Sequence, residues 1–284
     1  MASLSAKRQK ECFELLKGLY DPGSLVHNCC TREVVQAIVE WRCLPVIVKT
    51  VDGVEYIDPD NTEVTHRGND QPAIILANGS KSWYKDGKRH RDGDQPAVIW
   101  SDGSRYWYKD NKLHRDGDQP AVIWPDGSMW WYKDNGLHRV TEPAIIRADG
   151  SKFWFKDGRP HRYDDQPAEI WANGTMRWYK DGELHRDSDQ PAVIYADGER
   201  HWFKNGKKHR DGDQPAEIQA DGSRHWYKNG KLHRDDDQPA IIWASGSKMW
   251  FKDGEEHRDG GQPAVILAGG IREWWINGVR NDPL

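Results

Sequence analysis

The stretch WYKDNKLHRDGDQPAVIWPDGSM, residues 107–129, decides the fold, because close copies of it recur along the chain. His-Arg pairs mark the copies, and they begin at 66, 90, 114, 138, 161, 185, 209, 233 and 257. The spacing is 24 residues, apart from one spacing of 23 between His138 and His161. A fixed period of this length is typical of a repeat architecture. A residue type present in every copy is therefore expected to be structural rather than catalytic.

Each copy contains two short strand signals around a turn signal. Residues 96–100 read Pro-Ala-Val-Ile-Trp, residues 107–109 read Trp-Tyr-Lys, and Asp102-Gly103 lies between them. An Asp-Gly or Asn-Gly pair between β-prone runs predicts a hairpin with a type I′ turn, in which both central residues have positive φ. The sequence therefore predicts a mainly β fold, an elongated antiparallel meander of about nine stacked 24-residue hairpin repeats.

The alternation of side chains along the first strand predicts which face is buried. An Ala and an Ile two residues apart never vary, from Ala73 and Ile75 to Ala264 and Ile266, and one Trp per copy is equally fixed. Side chains two apart lie on one face of a strand. We therefore expect Ala, Ile and Trp to form a continuous buried stripe, and the residues between and after them to lie on a second, partly wet face.

That second face provides the first candidate interaction surface. It keeps large aromatic residues at a spacing of about one repeat: Trp100, Trp124, Trp171, Tyr195 and Trp243. Trp and Tyr are common hot spots of protein interfaces. The alternative, at equal weight, is that these rings cover the second face of their own sheet.

The loops that join successive copies carry His-Arg and, except for the loop at residues 138–143, one or more Asp. If the hairpins stack, these loops line one edge, and each Arg faces an Asp of a neighbouring copy. Exposed ion pairs contribute only about 0–1 kcal/mol each, but a network of fixed geometry can contribute more. We therefore interpret the His-Arg pairs as a structural ladder and not as a site.

The repeat resembles a known family. The order aromatic-x-Asn-Gly-Lys-x-His followed by Val-Ile-Trp-Pro-Asp-Gly-Ser is similar to the MORN repeat, a β-hairpin repeat of nearly this length, over residues 67–280. The chain departs from that pattern, because Ser104-Arg105-Tyr106-Trp107 has no glycine and His-Arg-Asp-Gly-Asp-Gln-Pro replaces His-Gly-x-Gly. The variant resembles repeats in proteins of large DNA viruses of amoebae. The resemblance implies a scaffold role and a place in the virion.

The composition excludes several function classes. Lys and Arg number 41 against 45 Asp and Glu, the net charge is −4, and the charges are interspersed. Nucleic acid or anionic lipid would require a one-sided basic field. No apolar run of about 18 residues is present, so no transmembrane segment is expected. Residues 1–20 do not resemble a signal peptide, and the cysteines do not form a secreted framework, so we expect an intracellular, cytoplasmic protein.

The ends and one internal loop are irregular. Residues 1–44 predict a helical N-terminal cap, with helices over 4–20 and from Thr31 to about Arg42, and residues 45–66 predict a degenerate capping repeat before the array of 67–284. Trp274, Trp275 and Asn281 mark a C-terminal docking edge, to which a partner could add a strand. Val140-Thr141-Glu142-Pro143 is one residue short. We favour a tolerated deletion over a local bend or a contact site in the middle of the array.

The sequence predicts no catalytic residue, no cofactor and no metal. A nucleophilic triad needs one unique copy of each of its residues. Because the nine histidines of the repeats are equivalent and no serine stands out from the repeat pattern, we expect no triad. His201 and His225 fill a variable strand position, where we expect them at the surface. Cys12, His27, Cys29, Cys30 and Cys43 could contribute zinc ligands, but we prefer the interpretation that the cysteines are buried as small apolar residues. The Asp-Gly-Asp loops lack the bidentate Glu of a calcium-binding loop, so calcium is a weak alternative.

Three function classes remain open. They are a scaffold for protein–protein interaction or self-assembly, a ligand- or glycan-binding module that uses aromatic pairs such as Trp107-Tyr108, and a targeting domain for a separate enzyme. The repeat pattern and the lack of predicted catalytic residues favour the non-enzymatic scaffold. The sequence does not identify its partner proteins.

Overall fold

The computed structural model describes residues 70–76 and 78–283. The predicted helical cap, the capping repeat and the four cysteines lie outside these residues. The described chain is mainly β, and the predicted antiparallel meander of hairpin repeats is confirmed. No helix of the described part is long and apolar enough to cross a membrane.

Each unit contributes four strands of two residues, which is twice the number that the sequence pattern predicts. The first strand of each unit is β1 (Ile74–Ile75), β5 (Val98–Ile99), β9 (Val122–Ile123), β13 (Ile145–Ile146), β17 (Glu169–Ile170), β21 (Val193–Ile194), β25 (Glu217–Ile218), β29 (Ile241–Ile242) or β33 (Val265–Ile266). The second is β2 (Lys81–Ser82), β6 (Arg105–Tyr106), β10 (Met129–Trp130), β14 (Lys152–Phe153), β18 (Met176–Arg177), β22 (Arg200–His201), β26 (Arg224–His225), β30 (Lys248–Met249) or β34 (Arg272–Glu273).

The third and fourth strands of each unit form a separate side hairpin. The nine side hairpins are β3 (Tyr84–Lys85) with β4 (Lys88–Arg89), β7 (Tyr108–Lys109) with β8 (Lys112–Leu113), β11 (Tyr132–Lys133) with β12 (Gly136–Leu137), β15 (Phe155–Lys156) with β16 (Arg159–Pro160), β19 (Tyr179–Lys180) with β20 (Glu183–Leu184), β23 (Phe203–Lys204) with β24 (Lys207–Lys208), β27 (Tyr227–Lys228) with β28 (Lys231–Leu232), β31 (Phe251–Lys252) with β32 (Glu255–Glu256), and β35 (Trp275–Ile276) with β36 (Val279–Arg280).

The first and second strands of all units make one sheet of 18 strands. Every pairing is antiparallel and follows chain order, so β6 pairs with β5 of its own unit and with β9 of the next. In this register Tyr106 lies opposite Val98 on one side and Val122 on the other. Directly opposed residues project from the same face of a sheet. Positions 8 and 16 residues apart are therefore neighbours on one face.

The type I′ turns lie in the side hairpins and not at the Asp-Gly pairs of the main sheet, where we predicted them. Asp110 and Asn111 have φ of 51° and 67°, and they connect β7 to β8 with two residues, the loop length that requires this turn. In the Asp102-Gly103 pair of the main sheet only the glycine is left-handed, with φ of 91°, and its N–H donates to the Trp100 carbonyl at 2.9 Å. This is the three-residue loop in which a left-handed glycine follows a type I turn.

The buried face also differs from the prediction in one respect. Ala97 and Trp107 are buried as expected, but Val98, between Ala and Ile, is buried as well, whereas the invariant Ile99 is half-buried. The register explains the difference, because Val98 lies opposite Tyr106 while Ile99 lies opposite the exposed Arg105. At the position between Ala and Ile, the face that we expected to be partly exposed to water is therefore covered by its own side chains.

Candidate functional site

A three-residue rung links consecutive units along the array. In seven rungs the Arg of one unit donates from Nε and Nη2 to the Asp carboxylate of the preceding loop, at 2.7–3.1 Å. The pairs are Arg91–Asp70, Arg115–Asp94, Arg139–Asp118, Arg186–Asp165, Arg210–Asp189, Arg234–Asp213 and Arg258–Asp237. The predicted pairing of Arg with a neighbouring Asp is therefore confirmed, and its bidentate geometry is the strong form of this bond.

The tryptophan of the same unit completes the rung. Arg210 stacks on the Trp202 indole at 4.0 Å, and Trp202 Nε1 donates to the Asp189 carbonyl at 3.0 Å. Because Asp189 accepts both from Arg210 and, through its backbone, from Trp202, it holds two units together. The hydrogen bond from Arg210 holds the pKa of the Asp189 carboxyl below its ordinary value against a smaller opposing effect of burial.

The histidines also connect units. His209 Nε2 lies 2.8 Å from Asp211 Oδ1, and its Nδ1 accepts from the Asn229 N–H of the next side hairpin at 3.1 Å. An Nδ1 that accepts a backbone N–H fixes the Nε2–H tautomer of a neutral imidazole. This arrangement occupies both ring nitrogens and supports the structural interpretation of the ladder.

The indole faces offer little space to an external cation. In eight described units an Arg guanidinium stacks on the Trp ring at 3.7–4.1 Å. The same tryptophans are 6–7% exposed. An aromatic cage needs an open ring face, and the tryptophan of each pair leaves little of its face open to a ligand.

One rung is interrupted. The shortened loop 140–142 stands where the other loops supply Asp, and the described residues place no carboxylate within hydrogen-bond distance of Arg162. Arg162 still stacks on Trp154, at 3.7 Å, and donates to the Pro167 carbonyl at 3.2 Å. Burial lowers the pKa of Arg162, and the Trp154 Nε1 is buried without a hydrogen-bond partner. Beside it, Val140 and Tyr163 are 71% and 51% exposed.

The predicted aromatic interaction face is half-buried throughout. Trp100, Trp124, Trp171, Tyr195 and Trp243 all fall in this intermediate class. Four of them make edge-on contacts with rings on the neighbouring strand: Trp124 with Tyr106 and Trp130, Trp171 with Phe153, Tyr195 with His201, and Trp243 with His225. Because these rings pack against one another on the same sheet face, much of the apolar surface of this row is already buried within the sheet.

A buried polar group interrupts that row between Tyr195 and Trp243. We call it the His-Glu cluster; its members are Glu199, His201, Lys208, Glu217, Gln219 and His225. Glu217 of β25 lies opposite His201 of β22 on one side and His225 of β26 on the other. The expectation that His201 and His225 lie at the surface is wrong, because they are 7% and 6% exposed.

Hydrogen bonds converge on the Glu217 carboxylate. His225 Nδ1 and Gln219 Nε2 each lie 3.1 Å from Oε1, and Lys208 Nζ donates to Oε2. Burial by itself raises the pKa of Glu217, but the hydrogen bonds from His225, Lys208 and Gln219 outweigh burial. The pKa of the Glu217 carboxyl therefore lies well below its usual range, and the group is ionised. His201 Nε2 lies 2.5 Å from Glu199 Oε1 and 3.8 Å from Glu217 Oε2.

The two histidines of the cluster differ in their contacts. Burial, reinforced by the nearby Lys208 charge, lowers the pKa of His201, so its imidazole is neutral at pH 7. His225 directs Nδ1 to Glu217, while its Nε2 is buried without a partner. The sequence offers one signal for this cluster: Glu217 follows His201 by 16 residues and precedes His225 by 8, the two spacings that bring residues together on one face.

The C-terminal unit presents the predicted docking edge. β34 (Arg272–Glu273) pairs with β33, and no second strand among the described residues covers its other side. Trp274 and Trp275 are half-buried, Trp274 Nε1 donates to the Gly261 carbonyl at 3.1 Å, and Asn281 N–H donates to the Trp274 carbonyl at 2.7 Å. The exposed apolar side chains of this unit are Leu267, Ile271 and Val279, at 37%, 58% and 67%.

No protein-family model matches the chain, and no curated protein is significantly similar to it.

Proposed function

We propose that the chain is a non-enzymatic assembly protein that binds other proteins where its repeat pattern is interrupted. The two places are the interrupted rung, formed by Val140, Trp154, Arg162 and Tyr163, and the C-terminal edge, formed by β34 with Leu267, Ile271 and Val279. One observation carries the proposal. Apart from Ile75 at the start of the described residues, every large apolar side chain that the described part exposes lies at one of these two places.

Each place favours a partner of definite chemistry. The C-terminal edge has backbone groups that an extended partner segment can pair by strand addition, flanked by apolar side chains that can contribute specificity. The interrupted rung has a stacked guanidinium, which in seven other rungs binds a carboxylate. An acidic side chain of a partner therefore suits Arg162.

The wider context follows from the repeat type. A continuous sheet of hairpin units separates the two docking places, as a scaffold requires. The similarity of the repeat to MORN repeats, and to repeats of viruses of amoebae, supports a role as a component of a larger particle. The aromatic row Trp100, Trp124, Trp171, Tyr195 and Trp243 is a weaker docking candidate, because ring contacts within the sheet already use its surface.

The experiment compares variants of the full chain in partner capture from its native source and in self-association by sedimentation velocity. Ile271→Lys with Val279→Lys tests the edge, and Val140→Asp with Tyr163→Asp tests the rung. Ala196→Lys, at an exposed position of a regular unit, is the matched control for an added charge. We expect at least one double variant to lose capture or association about tenfold, a change of about 1.4 kcal/mol. Equal capture and association in all variants would contradict the proposal.

A further inference from the structure

We propose that the His-Glu cluster is a binding site for a divalent transition-metal ion, with Zn²⁺ as the best match, coordinated by Glu199, His201 and Glu217. Their ligand atoms, one from each side chain, all lie within 4.8 Å of one another. His201 Nε2 is the centre of the group, since it faces a carboxylate oxygen of each glutamate. Small side-chain rotations bring three such atoms to the roughly 2.0–2.2 Å that zinc bonds require.

The repeat itself shows that these residues are special to this place. The position of Glu199 is Ser in six of the nine units: 80, 104, 128, 151, 223 and 247. The position of Glu217 is Val or Ile in seven: 74, 98, 122, 145, 193, 241 and 265. The position of Lys208 is Leu in four: 113, 137, 184 and 232. Packing alone is satisfied by the apolar or small residue at each position, so the concentration of polar residues here needs a different cause.

A second carboxylate in the array provides the internal comparison. Glu169 occupies the position of Glu217 two units earlier, but its cross-strand partners are Phe153 and Arg177. Its carboxylate accepts from Tyr179, Trp171 and Arg177, all of which are donors. Glu217 also accepts from three groups, His225, Gln219 and Lys208, but its cross-strand neighbours are two imidazoles, a side-chain type that binds metals. The buried Glu217 therefore lies among residue types that coordinate metals, whereas the half-buried Glu169 does not.

The outer contacts of Glu217 are those of a coordinated carboxylate. His225 Nδ1 and Gln219 Nε2 both bind Oε1, which orients the carboxylate and leaves Oε2 directed toward His201 and Lys208. Hydrogen bonds of this kind hold metal ligands in place. The Nε2 of His225 is buried without a hydrogen-bond partner, and it carries a lone pair when Nδ1 donates to Glu217.

Lys208 supplies the positive charge next to the Glu217 carboxylate. Its ammonium neutralises one of the two carboxylates, so the cluster keeps one negative charge when the imidazoles are neutral. The Lys208 side chain is 27% exposed and can turn toward solvent when a divalent ion replaces it. The imidazole proton of His201 then moves from Nε2 to Nδ1, which frees the Nε2 lone pair for the metal. Three protein ligands leave a fourth position for water.

The test is a calorimetric titration of the full, metal-stripped chain with ZnCl₂, supported by the visible absorption of the Co²⁺ form. We expect one strong site, whose affinity falls at least tenfold in His201→Phe and in Glu199→Ser. Both substitutions copy residues that other units hold at the same positions, Phe153 and Ser223, so the fold is expected to tolerate them. Retention of the strong site in both variants, or no strong site in the unaltered chain, would overturn the proposal.

Two further variants separate the cluster from adventitious binding. Glu169→Gln, at the equivalent position outside the cluster, should leave the zinc affinity unchanged; an equal loss there would overturn the assignment. Lys208→Leu, which copies Leu184 and Leu232, removes the competing ammonium and should raise the affinity. An unchanged or weaker affinity would place the metal away from Glu217 and would equally refute the site.

Discussion

Removal of one rung carboxylate should destabilise the array at a defined place. The change is Asp189→Ala, which deletes the bidentate partner of Arg210 at 2.7 and 2.8 Å but leaves the guanidinium stacked on Trp202. A hydrogen bond to a charged group contributes about 1.5–3 kcal/mol where it is shielded from water, and an exposed ion pair about 0–1 kcal/mol. The Asp189 side chain is 58% exposed and that of Arg210 only 13%. We therefore expect a loss of about 1–2 kcal/mol.

The assay must be local as well as global, because long repeat arrays depart from two-state unfolding. Urea and thermal unfolding give the overall loss. Hydrogen exchange of the Trp202 and His209 amides, which donate to the Ala216 and Trp202 carbonyls, reports the opening of that unit. Asp189→Ala, Arg210→Ala and the double variant form a cycle that isolates the pair. Glu142→Ala, in the shortened loop, is the control, since no rung bond is lost there.

The coupling between Asp189 and Arg210 decides whether the rung links units. A coupling energy near zero in the cycle, or a loss from Asp189→Ala no larger than that from Glu142→Ala, would refute the account of the rung as a link between units. Loss of protection spread evenly over the array would equally count against it, because each unit contacts only its neighbours.

Three further predictions follow from the same contacts. Trp178→Ala, at a residue 6% exposed, should cost about 3–5 kcal/mol in urea unfolding, whereas Tyr195→Ala, half-buried against His201, should cost clearly less; equal losses would contradict the burial pattern. Hydrogen bonds from Arg lower the pKa of the rung carboxyls Asp94, Asp118, Asp189, Asp213 and Asp237. Their contribution is therefore complete well above the ordinary value of 3.8 and is lost as the pH falls through that value toward the lowered ones. The melting temperature should therefore start to drop near about pH 5 and fall mainly below 3.8; a flat profile would argue against it. Replacement of Val140-Thr141-Glu142 by Asp-Gly-Asp-Gln, the sequence of the regular loops, should supply a carboxylate to Arg162 and raise the melting temperature. An unchanged or lower melting temperature would show that the interrupted rung does not lower the stability of the array.

The repeat period was enough to predict the meander, because identical units can bury their apolar faces only against one another. The Arg–Asp pairing followed from the same stacking argument, since a fixed offset between units repeats every loop contact. The turn assignment failed because each unit holds two Asp- or Asn-containing turn pairs, such as Asp102-Gly103 and Asp110-Asn111, and local preference does not distinguish them. Loop length distinguishes them, and loop length depends on which residues pair across the strands.

The His-Glu cluster was missed for a related reason. His201, Glu217 and His225 lie on three different strands, and each is unremarkable when its own strand is read alone. Their proximity depends on a register that places residues 8 and 16 positions apart side by side. That register can be read from Val98, Tyr106 and Val122 once one unit is known, so the repeat makes long-range contacts predictable after a single hairpin has been assigned.

A repeat array makes its exceptions informative, because neighbouring units provide controls of the same sequence length and environment. At Arg162 the chain keeps the cation and the indole but loses the carboxylate, and it exposes Val140 and Tyr163 beside them. At Glu217 it replaces an apolar residue with a buried charge and surrounds it with imidazoles. At β34 it leaves a strand edge with exposed apolar neighbours. A regular unit has none of these features, although it has the Arg–Asp pair and the buried Trp that link it to its neighbours. The residues that depart from the regular unit are therefore those on which the proposed binding functions are expected to depend.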